Sequence, residues 1–293
     1  MTSARPNVEI LVGDAVDRMR DLSSDRFHCV VTSPPYWRLR DYDVEGQIGW
    51  EDTIEAYVDS VAGVFDEVGR VMRKDGTLWL NMGDSSFGTE GGSDGVHAGL
   101  HRYRAGGRTG HKAGGPRKSL AGAPWRVALE MMRRGWIIRS EIIWEKPSAM
   151  PSSAKDRPTC SHETIFLCVR SRDYFYDENA IREPSANPSG PYESRNARTV
   201  WRIAPQPYKG SHSATFPVEL PTRCLLAGCP KDGEVLDPFG GAGTTGLAAA
   251  LLGLPSTLIE LSQAKAAEAE QRIRSEVGLV AEVSVCRAAE RSA

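Results

Sequence analysis

His28-Cys29-Val30-Val31-Thr32-Ser33-Pro34-Pro35-Tyr36-Trp37 decides the fold, because an apolar strand here runs straight into a stiff turn bearing aromatic rings. Val30 and Val31 read as the end of a buried parallel strand, and open α/β sheets bind ligands beyond the carboxyl ends of such strands. Ser33, Pro34, Pro35 and Tyr36 are therefore expected to line a cleft. Two consecutive prolines fix φ and remove two backbone donors, which leaves the Ser33 and Pro34 carbonyls with acceptor capacity. Tyr36, with Trp37 beside it, offers a flat face for an unstacked base. The pattern fits an amino group held by acceptors over an aromatic ring; a plain surface turn is the bland alternative.

Working outward, the second decisive stretch lies more than two hundred residues downstream. Glu234-Val235-Leu236 reads as a short strand, followed by Asp237-Pro238-Phe239-Gly240-Gly241-Ala242-Gly243-Thr244-Thr245-Gly246 and an Ala/Leu-rich helix. Glycines at a strand-to-helix turn let a ligand approach the backbone closely. Ser256-Thr257-Leu258-Ile259 makes a further strand ending on Glu260, an acidic residue placed to bind ribose hydroxyls. Together these features describe a nucleoside cofactor site.

With both stretches in view, the chain resembles the DNA amino-methyltransferases that use S-adenosylmethionine, in their beta arrangement with the catalytic motif ahead of the cofactor motif. Gly13-Asp14, Leu80 to Asp84, Pro124 to Val127, Trp144 to Pro147, Ser161 to Glu163 and Phe216 to Leu220 resemble that family's blocks in its order. The resemblance implies catalysis by Ser33, Pro34, Pro35 and Tyr36. It also implies a cofactor site at Asp14, Phe216, Pro217, Asp237, Pro238, Phe239, Gly240, Gly241, Gly243, Thr244, Thr245 and Glu260. Ser ahead of Pro-Pro-Tyr is similar to the cytosine-N4 enzymes, whereas Asp there is more usual for adenine-N6; cytosine N4 is the expected target, with adenine N6 by the same geometry as the alternative. Double-stranded DNA is the implied partner; a restriction endonuclease and a second copy of the chain are candidate companions, and no apolar stripe in the sequence establishes a dimer.

The 293 residues are expected to form one domain with two insertions, at 85–120 and 177–213. Alternating strands and helices imply an α/β fold with a doubly wound, mostly parallel, Rossmann-like sheet. Net charge is −2, so bulk charge does not advertise nucleic acid, but Gly95 to Leu129 holds seven Lys/Arg and no Asp/Glu. That stretch supplies Arg102, Arg104, Arg108, Lys112 and Lys118 as phosphate contacts. Basic residues interleaved with Tyr192, Trp201 and Tyr208 make 177–213 the candidate for target recognition, through Arg195, Arg198 and Lys209. Arg38 and Arg40, in the polar loop after the catalytic turn, complete the set of expected DNA contacts.

Along the rest of the chain, helices are expected over Ala15 to Leu22, Ile54 to Met72, Pro124 to Met132, Pro217 to Ala227 and from Glu260 to about Val277. Lys74-Asp75-Gly76 reads as a turn ahead of the strand Thr77 to Asn81. Asp14 either sits near the cofactor's adenine or caps the helix that follows it. Six scattered cysteines without a C-x-x-C pair predict reduced thiols and no metal site. No signal peptide core or membrane-length apolar run is present, so a cytoplasmic protein of a prokaryote or phage is expected.

Competing chemistries fit less well. A cytosine-C5 enzyme needs a thiolate after proline, and this chain has no Pro-Cys dipeptide. Phosphate transfer through a P-loop needs Gly-Lys, which is also missing. A nicotinamide oxidoreductase would use Gly241, Gly243 and Gly246 but leaves Ser33 to Tyr36 unexplained. A binder that has lost turnover is the remaining alternative.

Overall fold

The computed structural model describes residues 5–40, 42, 44–88, 115–149, 151–185, 193–206, 215–278 and 280–286. In chain order the strands are β1 (Asn7–Val12), β2 (Phe27–Thr32), β3 (Met72–Met82), β4 (Ile137–Glu145), β5 (His162–Val169), β6 (Glu183–Pro184), β7 (Ser194–Arg195), β8 (Val200–Arg202), β9 (Val235–Asp237), β10 (Ser256–Glu260) and β11 (Glu282–Cys286). The helices are α1 (Ala15–Arg20), α2 (Ile54–Val71), α3 (Ala123–Arg133), α4 (Glu219–Gly228), α5 (Thr244–Leu251) and α6 (Gln263–Val277).

Among the described residues the main sheet has nine strands in the order β11-β1-β10-β9-β2-β3-β5-β4-β8, and only β5 runs against the others. Helices cover both faces. Tyr57, Val61, Phe65 and Val68 of α2 and Val127 and Met131 of α3 pack with Val30, Leu78 and Phe166 on one side. On the other side α4 and α5 meet Cys29, Val31, Trp79 and Leu167, and α6 covers Val8, Ile10 and Leu258. Successive strand residues thus feed opposite layers, as a pleat with period two requires.

The fold follows from local rules. On α2, Tyr57, Val58, Val61, Val64, Phe65, Val68 and Val71 are buried at helical spacing, and Thr53 caps its start by accepting from Ala56 N at 3.1 Å. Pro124 enters α3 in its first turn, where its missing N–H costs nothing. Strand β9 is buried at all three positions, as a central parallel strand should be.

One sequence expectation is corrected, and two features add to the sequence reading. Lys74-Asp75-Gly76 is not a separate turn: it lies within β3 as a bulge, where the pairing jumps from Phe27↔Met72 to Cys29↔Thr77. Residues 177–213 contain β6, β7 and β8, and β8 extends the sheet beside β4 in the register Trp144↔Trp201. Strand β11 was not expected at all.

Helix connections run β9-α5-β10 to one side and β2-α2-β3 to the other, so neighbouring β9 and β2 mark the point where the winding reverses. The carboxyl ends of β1, β10, β9, β2 and β3 open on one edge there. Because β5 is antiparallel, its first residues reach the same edge, and Glu145↔His162 brings the end of β4 alongside.

Candidate active site

The two decisive stretches meet through one carboxylate. Asp237, at the end of β9, accepts from Thr32 Oγ1 at 2.7 Å, Thr245 Oγ1 at 2.7 Å and Phe239 N at 3.0 Å. Burial pushes its carboxyl up to about 6 despite those bonds. Asp237 therefore joins the residue before Ser33 to the helix behind the glycine turn. Thr244 and Thr245 are buried as well, with Thr244 Oγ1 accepting from Arg272 at 2.8 Å. These three hold the turn from behind.

The turn is shaped for close approach. Gly241 and Gly243 take φ of 49° and 74°, and a side-chain carbon on Gly240 would come within 3.0 Å of Leu258 Cβ. Pro238 is buried and Phe239 half-buried against the core. Glu260 Oε2 accepts from Gly241 N at 3.0 Å and Oε1 from Ser262 N at 2.9 Å. Burial pushes the Glu260 carboxyl up, against the bond from Ser262 and the charge of Lys265. Each carboxylate oxygen retains a lone pair beyond its backbone bond, so the residue can still take a diol. A half-buried acid, a bare glycine backbone and an apolar ring fit an adenosine-type cofactor.

Asp14 lies just past the end of neighbouring β1, whose Val12 pairs with Glu260. Its side chain accepts from Val16 N at 2.9 Å and Asp17 N at 3.1 Å, so it caps α1. Phe216 and Pro217 pack just ahead of α4, with Phe216 against the layer that holds Val31 and Val235.

On the catalytic side, Tyr57 Oη donates to the Pro35 carbonyl at 2.9 Å, tying the turn to α2. Among the described residues the Pro34 carbonyl has no hydrogen-bond partner. The Tyr36 hydroxyl donates to Glu163 Oε2 at 2.6 Å and lies 3.3 Å from Ser33 Oγ. Asn81 Nδ2, from the end of β3, reaches Glu163 at 2.8 Å and Tyr36 Oη at 3.1 Å. Lys146, just past β4, completes an ion pair with Glu163. Burial alone would raise the Glu163 carboxyl, but the Lys146 ammonium and the bonds from Tyr36 and Asn81 hold it below the usual carboxylate range. Gly83 has to lack a side chain, because a Cβ there would stand 2.6 Å from the Tyr36 ring.

Asn81, Lys146 and Glu163 lie in stretches that resemble the family's blocks, but the sequence assigns none of them a role. The signal in the sequence was polarity out of place: Asn81 closes an apolar strand, and Glu163 opens one. Trp37 is corrected in the other direction. It is buried, edge-on to Phe87 at 5.6 Å, with its Nε1 donating to Glu51 O at 3.1 Å. Only Tyr36 of that pair is left to face a ligand.

The expected DNA contacts separate into distinct groups. Arg38, at φ 55°, donates from Nε to Glu51 O at 3.0 Å and pairs with Asp52, so it latches its own loop. Arg40 lies against the Tyr42 hydroxyl, and the Lys265 ammonium sits 3.6 Å from the Tyr42 ring centre. Lys118 pairs with Asp156 on the surface, and Arg195 pairs with Glu183 at 3.6 Å. Arg198 is exposed. Trp201 is no DNA contact: it is buried against Trp79, with ring centres 5.9 Å apart, because its strand joins the sheet. Arg102, Arg104, Arg108, Lys112, Tyr192, Tyr208 and Lys209 lie outside the described residues. Cys29 is buried, and desolvation pushes its thiol well above the ordinary range, which is unsuited to a nucleophile. Among the described residues there is no metal-binding group of His, Cys, Asp and Glu, and no helix is long and apolar enough to cross a membrane.

Comparison with known proteins agrees with this geometry. Residues 27–271 match a family model described as DNA methylase, of the N6/N4 methyltransferase type. The type II methyltransferase M.SmaI of Serratia marcescens is 45% identical over 271 residues, covering 90% of each chain. M.XycI of Xanthomonas campestris pv. cyanopsidis is 46% identical over 238 residues, covering 80% of this chain and 77% of its own. Among solved structures, TTHA0409 of Thermus thermophilus, crystallised with S-adenosyl-L-methionine, aligns over 95% of this chain and 99% of its own, with TM-score 0.65 and 26% identity. The PvuII DNA methyltransferase, cytosine-N4-specific, shares the fold with TM-score 0.66 at 18% identity, over 97% of this chain and 95% of its own. The chain belongs to the N6/N4 DNA methylase family.

Proposed function

We propose that this DNA methyltransferase uses S-adenosylmethionine to methylate the exocyclic N4 amine of a cytosine turned out of duplex DNA. The observation that carries the reading is Ser33 at the carboxyl end of β2, ahead of Pro34-Pro35-Tyr36 and joined through Thr32 and Asp237 to the glycine turn. When bound, the cofactor supplies an electrophilic methyl group. Glu260 would hold its ribose, Phe239 would lie by its adenine, and the backbone from Asp237 to Gly243 would surround its methionine part.

The chain's own task is to prepare a poor nucleophile. An exocyclic nitrogen delocalises its lone pair into the ring; if Ser33 Oγ and the Pro34 carbonyl accept its two hydrogens, the nitrogen turns toward a tetrahedral shape with its lone pair free. Positioning then accounts for most of the rate. Turning the base out costs roughly a few kcal/mol, which stacking on Tyr36 offsets in part. Arg198 and the basic stretch 95–129 would hold the phosphates, and a restriction endonuclease is the companion whose cutting such a mark would block.

Ser33→Ala and Tyr36→Ala test these roles. Each is expected to slow single-turnover methyl transfer by about 100-fold, with S-adenosylmethionine affinity close to wild type. Loss of cofactor affinity in both variants would contradict the assignment.

A further inference from the structure

The polar groups around Ser33 form one chain of hydrogen bonds, and its far end is a charge. Glu163 and Lys146 are withdrawn from solvent, with 17% and 23% of their side chains exposed. An ionised carboxylate accepts hydrogen bonds and cannot donate them. The Tyr36 hydroxyl, 2.6 Å from Glu163 Oε2, must therefore spend its hydrogen on that oxygen. Asn81 must likewise turn its amide nitrogen toward Glu163, which leaves its buried Oδ1 without a partner among the described residues.

Only acceptor capacity then remains on the Tyr36 oxygen. Its two lone pairs face Asn81 Nδ2 at 3.1 Å and Ser33 Oγ at 3.3 Å. The Ser33 hydrogen is drawn inward along this chain; Asn81 Nδ2 also stands 3.4 Å from Ser33 Oγ, but its two hydrogens have nearer acceptors in Glu163 and Tyr36, so a Ser33 lone pair is left for the cleft. With the reverse order, the Ser33 hydrogen would point at the hydrogens of an incoming amine, donor against donor.

We propose that Glu163, kept ionised by Lys146, is a positioning residue that sets the direction of the hydroxyl protons through Tyr36, so that Ser33 meets the target amine as an acceptor. This inference rests on the amine-methylation reading above. The groups facing Glu163 are Lys146 from the end of β4, Tyr36 from the catalytic turn and Asn81 from β3. Lys146 also lies 4.4 Å from the centre of the Trp144 ring, which fixes the ammonium in place.

Two variants test it. Glu163→Gln keeps the shape but presents a donor edge as well as an acceptor, so the chain can run backwards. Methyl transfer is expected to fall by about 10- to 100-fold across the pH range, with cofactor affinity and unfolding midpoint near wild type. Lys146→Met leaves a buried carboxylate without its cation, so burial raises its proton affinity. Transfer by this variant is expected to be depressed near about pH 6 and to recover toward about pH 9, an acid limb displaced upward from wild type. Activity of Glu163→Gln within about twofold of wild type, or a Lys146→Met profile parallel to wild type, would overturn the proposal. If the wild-type protein methylates no DNA, the reading above fails, and carboxyl-carbon NMR of Glu163 decides the network by itself. A titration midpoint raised by Lys146→Met supports it; an unmoved midpoint overturns it.

Discussion

Asp237 carries more of the site than its distance from the chemistry implies. Its carboxylate is fully buried and bonded to two threonines and one backbone N–H, with no cation among those partners. Its proton affinity is raised above the ordinary value of 3.8 to about 6, chiefly by burial. A folded-state value above the unfolded one favours the native state fully below about pH 4 and loses that contribution as the pH rises through about 6, a change of about 3 kcal/mol. Asp237→Asn keeps the shape, and Thr245 Oγ1 has the Val31 carbonyl at 3.3 Å as an alternative acceptor. The variant has no charge to bury. Its stability relative to wild type should therefore rise between about pH 4.5 and about pH 7.5, as urea unfolding at both pH values would show. A difference independent of pH would contradict this account of Asp237.

At the scale of elements, the residues on either side of 89–114 are joined in a closed clip. Phe87 N donates to the Ser119 carbonyl at 2.9 Å, Lys118 N returns a bond to Phe87 O at 2.9 Å, and Ser86 bridges Leu120. Asp84 then accepts from Gly122 N at 2.9 Å and Ala123 N at 3.0 Å, anchoring the start of α3 where the helix dipole favours an acid. These bonds join β3 to α3 through described residues alone. Replacing 89–114 by a short Gly/Ser linker should leave the unfolding midpoint and cofactor affinity unchanged, while duplex affinity at moderate salt falls by about 10-fold or more. Fluorescence anisotropy with labelled duplex measures this, and unchanged duplex affinity would remove the stretch from the DNA-binding surface.

For the molecule as a whole, what could be read in the sequence is what local rules encode. Val30-Val31 before Ser33, and the glycine turn before an apolar helix, carry their own strand ends and backbone shapes. The periodic α2 and α3 were legible for the same reason. Glu163, Lys146 and Asn81 were not, because they meet only through the insertion of antiparallel β5 between β3 and β4, and strand order leaves no mark on residue spacing. The sequence places Asp237 in the cofactor loop but does not show that its carboxylate faces inward, which follows from β9 lying beside β2, over two hundred residues away in the chain. Trp201 looked like a recognition aromatic until an edge strand buried it. Sequence polarity pointed to the site, and topology decided which polar groups share it.

Amine methylation of cytosine in DNA leaves a product that can be read directly. It is tested most directly by incubating the protein with labelled S-adenosylmethionine and mixed-sequence unmethylated duplex, digesting to nucleosides and identifying the product by mass spectrometry. N4-methylcytosine is the expected product. N6-methyladenine would contradict the use of Ser33 to assign the base while preserving the site, and the absence of any methylated nucleoside would contradict the claim itself.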